Sequence, residues 1–230
     1  MTLITSEPPA FPRIPHLPGS ACADDDIALG SWPNWLTGPV WVEEKLDGAN
    51  VAIWRSGASR FEVAGRAGVG AMDRGRQLGR LRAWVHEHHA KLHKLLPKGD
   101  VLYGEWLWKT HSVNYDALPD WLIVLDLWSP EGFVDAVARN DRAGGAGLAV
   151  PAPLHHGPIP SAGALERLCG RSAYGSELAE GLIIRQHQAG LRTRIAKWVR
   201  PDFVRRSDQA WRQGSATYNR LKRVEPVDAR

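Results

Sequence analysis

Between Trp41 and Arg66 the chain writes three strand-length segments in quick succession, "WVEEK", "ANVAIWR" and "RFEVAGR", parted only by short turns. β-Branched and aromatic residues recur in them, as a half-buried pleated surface requires. Links this short leave no room for a crossover helix, so the core starts antiparallel. Asp47-Gly48 reads as the turn between the first two strands.

The same alternation of strands and punctuation continues. "VLYGEWLW" and "WLIVLDLW" are apolar runs of strand length that cross the core, and "AEGLIIRQ" and "LRTRIAKWV" straddle a Gln-Ala-Gly turn as a last hairpin before Pro201. Helical spacing of Leu81, Val85, Leu92 and Leu95, with Leu78 just before, predicts a helix from Gly79 to Leu96, closed by Pro97 and Gly99. "GFVDAVARNDRAG" reads as a further helix, "LAVPAPL" as a short strand, and Ser161 as the N-cap of "AGALERLCG". The fold class is α+β: antiparallel sheets flanked by helices.

A chain of 230 residues, 43% hydrophobic and 23% charged, can bury a full core as one large domain or one domain with a small appendage. Residues 1–38, rich in proline and glycine, read as an arm packed on the domain; 39–200 form the domain; 201–230 form a basic helical end. The N-terminus lacks a signal-peptide pattern and no segment approaches the roughly 20 apolar residues of a membrane span, so a cytoplasmic protein without a membrane partner is expected. Cys22 and Cys169 cannot make a CxxC site, which points away from zinc and redox chemistry. His86, His89 and His93 share a helix face, but no acidic metal pattern accompanies them, and a solvated face explains them.

Charge is uneven: from Arg192 to Arg230 the balance is +7, and −3 elsewhere. Aromatics interleave with arginines there, which suits phosphate contacts with base stacking and equally suits a solvated amphipathic helix packed by Phe203, Val204, Trp211 and Leu221. If that end binds a phosphate backbone, its removal after Arg206 weakens nucleic-acid work more than nucleotide chemistry; equal loss marks it as part of the fold.

Lys45 stands at the mouth of the Asp-Gly turn. Either it is solvated beside a surface hairpin, or the turn presents it to a ligand that Gly48 lets the backbone approach. A nucleophilic lysine needs its pKa lowered by burial or nearby cations. Polar residues recur within or beside the other apolar strands: Arg66, Glu105, Asp126, Glu180, Arg185 and Lys197. Two carboxylates holding Mg²⁺ and cations facing phosphate oxygens would account for them, as would a structural ion-pair network.

In order and type these segments resemble the motifs of the covalent nucleotidyltransferases, ATP-dependent ligases and capping enzymes. "EKLDG" looks like the nucleotidyl-lysine motif, and "GRAG", "YGEW", "WLIVLDLW", "EGLIIR" and "AKWVR" like those that follow it. The "KLDGAN" form, with Asn50, is most similar to the RNA ligase 2 type of ATP-dependent RNA ligase. The resemblance implies an ATP-grasp-like nucleotidyltransferase domain that seals 3′-hydroxyl and 5′-phosphate ends of nicked or broken RNA through lysyl-AMP.

It further implies roles. Lys45 is the nucleophile; Glu44, Asp47, Gly48, Arg66, Glu105, Leu125, Arg185 and Lys197 surround ATP; and Lys45, Glu105, Glu180 and Lys197 form the catalytic set. Glu105 and Glu180 lie near Mg²⁺ or Mn²⁺. Asn50, Arg185 and Arg200 meet the RNA. This sequence departs from the family at Leu125, where an aromatic often stacks on adenine, and at Val199, where a second lysine is usual and Arg200 falls one residue late. Few residues follow the last motif, leaving no full OB domain, so RNA binding falls to the domain, to its basic end or to an end-processing partner protein. The alternatives are a minimal DNA ligase, a capping-type enzyme, or a nucleotide or nucleic-acid-end binding module without catalysis.

Overall fold

The computed structural model describes residues 8–65, 76–203 and 217–223. Nine strands form two antiparallel sheets among these residues. Strands β1 (Val40–Lys45), β7 (Pro153–Gly157), β8 (Gly181–Gln188) and β9 (Leu191–Val199) make one sheet in the order β7-β1-β8-β9. The other has the order β3-β2-β4-β5-β6, with β2 (Ala49–Arg55), β3 (Phe61–Gly65), β4 (Val101–Trp106), β5 (Leu122–Ser129) and β6 (Gly132–Phe133).

Strand periodicity gives each sheet one apolar outer face. Val51, Ile53, Leu102 and Trp106 turn to helices α1 (Arg76–Glu87), α2 (His89–Leu95) and α3 (Ala136–Gly145), where Leu81, Trp84, Leu92 and Ala143 complete a core. Val40, Val42, Leu182, Ile184 and Trp198 turn the other way, onto Leu17 and Leu36 of the arm and Leu165 of α4 (Ala162–Glu166). Polar residues of the inner faces are left pointing at one another.

The Asp47-Gly48 corner is not a hairpin turn, because β1 and β2 belong to different sheets. A type I′ turn needs positive φ at both central residues, and neither has it. Asp47 is held instead by the loop after β4: its Oδ2 accepts from the amides of Ser112 (2.5 Å) and Val113 (2.8 Å), and its own amide donates to the Tyr115 hydroxyl (2.8 Å). Gly48 is required by packing, since a Cβ there would lie 2.7 Å from the Trp106 carbonyl oxygen and from Leu107, and it also lines the cavity between the sheets. The β8–β9 turn does use the I′ form, with φ 51° at Ala189 and 79° at Gly190.

Other boundaries shift for local reasons. The 79–96 helix starts at Arg76 and divides at His88, whose ring stacks on Trp84 at 4.1 Å. Gly132–Phe133 is a strand, and the following helix begins after Asp135, whose carboxylate caps Ala138. Paired strand in "LAVPAPL" begins only at Pro153, where a missing N–H is tolerated at a strand start, while Ala149 makes an isolated bridge. His89 and His93 meet the Ser59 and Ala58 carbonyls, and His86 is exposed. Both cysteines are free thiols, and among the described residues no helix is long and apolar enough to cross a membrane.

The arm lies on β9, donating from Leu17 to the Lys197 carbonyl (2.8 Å) and accepting at Pro15 from the Lys197 amide (2.9 Å). Of the basic end, residues 201–203 and 217–223 are described; the latter are extended rather than helical and pair with the loop after β4. Val204 and Trp211 lie outside the described residues.

Candidate active site

The inner faces of the two sheets enclose a cavity of about 500 Å³. Register places its side chains in rows. Lys45 of β1 lies beside Gly181 of β8, and Gly181 beside Val199 of β9; one row along come Glu43, Ile183 and Lys197. Gly181 has no room for a side chain, as a Cβ would fall 2.0 Å from the Trp198 carbonyl oxygen. From the opposite sheet come Asn50 and Glu105, direct partners across β2 and β4, and Leu125 of β5.

Lys45 Nζ lies 2.5 Å from Glu180 Oε2, with Glu180 almost fully buried. Burial works against the ammonium, but Glu180, Glu105 and Asp47 outweigh it and raise the Lys45 pKa. The expected lowering is therefore not the resting condition, because the neighbours are anions rather than cations. Glu105 accepts from the Gly48 amide (3.0 Å), and its pKa is pushed up to about 7, first by burial and then by Glu180 and Asp47, against the pull of Lys45. Two buried carboxylates facing one polar cavity form the all-oxygen donor set that a hard divalent cation prefers.

Lys197 lines the same cavity and pairs with Asp26 of the arm at 3.2 Å. Asp26 also meets His16 at 3.0 Å; burial raises its pKa, but Lys197 and His16 prevail and hold it down at about 2. A carboxylate whose folded pKa lies below its unfolded value stabilises the fold above about pH 4, and that contribution drains away as pH falls toward 2. The melting-temperature gap between wild type and Asp26→Asn is accordingly expected to be full at pH 6 and to shrink below pH 4. A gap independent of pH would refute the pairing.

Glu44 lines the cavity while its carboxylate turns outward to Ser172 Oγ (2.5 Å) and the Ala173 amide (2.8 Å). Leu125 and Ile183, with Phe11, Pro12 and Ile14 of the arm, supply the apolar wall. Arg185 reaches the cavity only as part of an ion-pair network: it bonds Glu43 (3.0 Å), both Asp126 oxygens (2.8 Å) and the Leu125 carbonyl (3.1 Å), and is 2% exposed. The guanidinium expected to face nucleotide or RNA is thus engaged by the protein itself. Arg200 is not among the cavity's lining residues; it donates to the Ala179 carbonyl (2.6 Å) and pairs with Asp202 (2.6 Å). Arg66 lies outside the described residues.

Sequence reasoning missed four residues. Glu43 is fully buried between Arg139 and Arg185. Arg139 carried a readable signal, since it sits three residues after Ala136 and four before Ala143, on the helix face those alanines bury. Asp26 had none, its partner being 171 residues away. Asn219 had none either. Its buried amide accepts from Thr110 Oγ1 and the Tyr115 amide (both 2.9 Å) and donates to the Leu107 carbonyl (2.6 Å). It thereby fixes the loop that holds Asp47 and brings His111 and Ser112 to the cavity. Asn219→Ala is expected to cost about 2 to 3 kcal/mol in urea melts, since it orphans buried groups. Truncation after Arg206 removes the same clip and is expected to weaken nucleotide chemistry and nucleic-acid work together.

A family model described as RNA ligase matches residues 38–199. No curated protein matches the sequence. Among solved structures, the chain is similar to Naegleria gruberi RNA ligase with pyrophosphate, at 16% identity and TM-score 0.55 over 71% of this chain and 50% of that one. A variant of the same ligase with ATP and manganese gives 15% identity and TM-score 0.54 over the same shares. Another such variant matches 84% of this chain and 61% of its own, at 13% identity and TM-score 0.51. The chain spans about half the length of the first two, and at these identities the likeness is one of fold.

Proposed function

The chain belongs to the RNA ligase family, and from that premise we propose that it seals RNA ends with ATP through a lysyl-AMP intermediate on Lys45. The observation that carries the reading is the convergence of Lys45, Glu180, Glu105 and Lys197 on one cavity, with Lys45 Nζ 2.5 Å from Glu180. The similar ligase structures described with ATP and manganese support the choice of nucleotide and cation.

The resting amine is an ammonium, so the first event is loss of a proton from Nζ to a neighbouring carboxylate. Glu180, 2.5 Å from Nζ, receives it and passes it to solvent, so that both carboxylates are ionised when they hold a cation. The neutral amine then attacks the α-phosphorus. A nitrogen–phosphorus bond forms, the bond to the bridging oxygen breaks, and pyrophosphate leaves with that electron pair. Lys197 neutralises charge on the α-phosphate oxygens, and the Leu125 and Ile183 wall receives the base. Glu105 and Glu180 are the residues that would hold Mg²⁺ or Mn²⁺, which supplies charge neutralisation at the phosphates.

In the second step a 5′-phosphate oxygen takes the adenylyl group, and the nitrogen–phosphorus bond breaks, returning the amine to Lys45. Finally the 3′-hydroxyl attacks the activated 5′-phosphate, losing its proton as the phosphodiester forms and AMP departs. Asn50, beside Glu105, meets the RNA at these later steps. An end-processing partner protein would prepare ends that lack these groups.

Incubation with ATP and Mg²⁺, then with Mn²⁺, followed by intact mass and peptide mapping, tests the reading. An AMP adduct on Lys45 is the expected outcome. Its absence after pyrophosphate removal, with ATP still bound, would favour a non-catalytic binding module, a reading suited to the tight Lys45–Glu180 pair and to Arg200 turned onto Asp202. Nicked RNA, nicked DNA and GTP controls separate the DNA ligase and capping alternatives.

A further inference from the structure

Residues 217–223 close the loop after β4 with their inward side, where Asn219 is 3% exposed. Their outward side has a different chemistry. Extended chain alternates its side chains, so Tyr218, Arg220 and Lys222 follow one another on the face opposite Asn219, about 7 Å apart. Tyr218 is 38% exposed and packs on Trp108, with ring centroids 4.6 Å apart. Arg220, Lys222 and Arg223 are exposed, and among the described residues their side chains make no ion pair. These cations and the exposed Tyr218 ring, which leans on half-buried Trp108, are not needed for the clip, which is made by main-chain bonds and Asn219.

This face also has a location. Trp108 and Lys109 lead directly into His111 and Ser112 on the cavity rim, three residues and at most about 10 Å of chain away. We propose that Tyr218 and Trp108, with Arg220 and Lys222, form the docking surface for the RNA strand whose end enters the cavity. The aromatic pair stacks a base and the cations take consecutive phosphates, the combination used to hold single strands without reading their sequence. The RNA identity of the occupant rests on the ligase reading above; the polyanion chemistry rests on the surface itself.

The test uses the full chain and a fluorescent single-stranded RNA with a 5′-phosphate, its binding followed by anisotropy across a salt series without ATP. Replacing Arg220 and Lys222 together with alanine is expected to reduce the slope of log affinity against log salt by about 1.4 and to weaken binding at least about fivefold near 0.1 M salt. Tyr218→Ala is expected to weaken binding about five- to hundredfold with the slope unchanged. Both variants should retain wild-type melting temperature and wild-type AMP adduct formation within twofold.

Unchanged affinity and slope would overturn the surface, as would adduct formation falling in step with RNA binding. Displacement of the RNA by polyglutamate at equal charge would give the face to an acidic protein instead. The two readings fail separately. An adduct on Lys45 with RNA binding indifferent to these residues sinks the surface alone, whereas salt-dependent binding through these residues with no adduct sinks the ligase reading alone.

Discussion

Lys45→Arg is expected to abolish AMP adduct formation, by at least about a thousandfold, while leaving the protein folded. The reason lies in what Glu180 requires. Its buried carboxylate needs a cation at 2.5 Å, and a guanidinium supplies that charge. A guanidinium stays protonated at any working pH, however, and so offers no lone pair to phosphorus. Lys45→Ala removes the nucleophile too, but it leaves Glu180 and Glu105 facing each other without their common cation. Its adduct loss is therefore accompanied by a further rise in the Glu105 pKa and by lower stability near neutral pH. Intact mass reports the chemistry and thermal melting reports the fold. Adduct persisting in a clean preparation of the arginine variant would remove Lys45 from the mechanism.

Glu43→Ala is the substitution expected to damage the fold most. The carboxylate is 0% exposed and joins Arg139 to Arg185, which are 1% and 2% exposed. Deleting it strands the Arg139 guanidinium in the interior and leaves Arg185 to Asp126 alone, an error that costs about 3 to 5 kcal/mol, against a total stability of about 5 to 15 kcal/mol. For a chain of this length the melting temperature should fall by roughly 6 to 20 °C. Arg139 also donates to the Leu125 carbonyl, so the apolar wall of the cavity loosens with the network and the KM for ATP should rise in the molecules that remain folded. Adding Arg139→Met, which removes the stranded charge, should recover part of the loss. A single-variant cost below about 1 kcal/mol would show that water reaches the pair.

These two residues mark the limit of what was legible. Lys45 could be read as a cavity residue because its signal is local: a lysine, an acidic neighbour and an Asp-Gly corner lie within six residues, and the matching segments recur in order along the chain. Glu43, two positions earlier, looked like any polar residue of an alternating strand. Its importance comes from α3 and β8, which approach it from 96 and 142 residues away. Arg185 was recognised as a charge in an apolar strand, which is a sound signal of a partner but does not say whether that partner is a ligand or Asp126 and Glu43. The Asp47-Gly48 corner shows the same limit at shorter range, since a dipeptide suited to a hairpin turn instead joins two sheets once Ser112, Val113 and Tyr115 capture Asp47.

By itself, then, the sequence determined the strands, the antiparallel character and the lysine to test first, because alternation and motif spacing are carried within a few residues of each other. The tertiary structure alone decided which charges face the cavity and which neutralise one another. It alone turned Asp26 of the arm to Lys197 and Asn219 of the basic end to the loop that holds Asp47. A buried charge or amide must find its partner wherever the fold brings one within about 3 Å, and no local pattern records a meeting between residues more than a hundred positions apart.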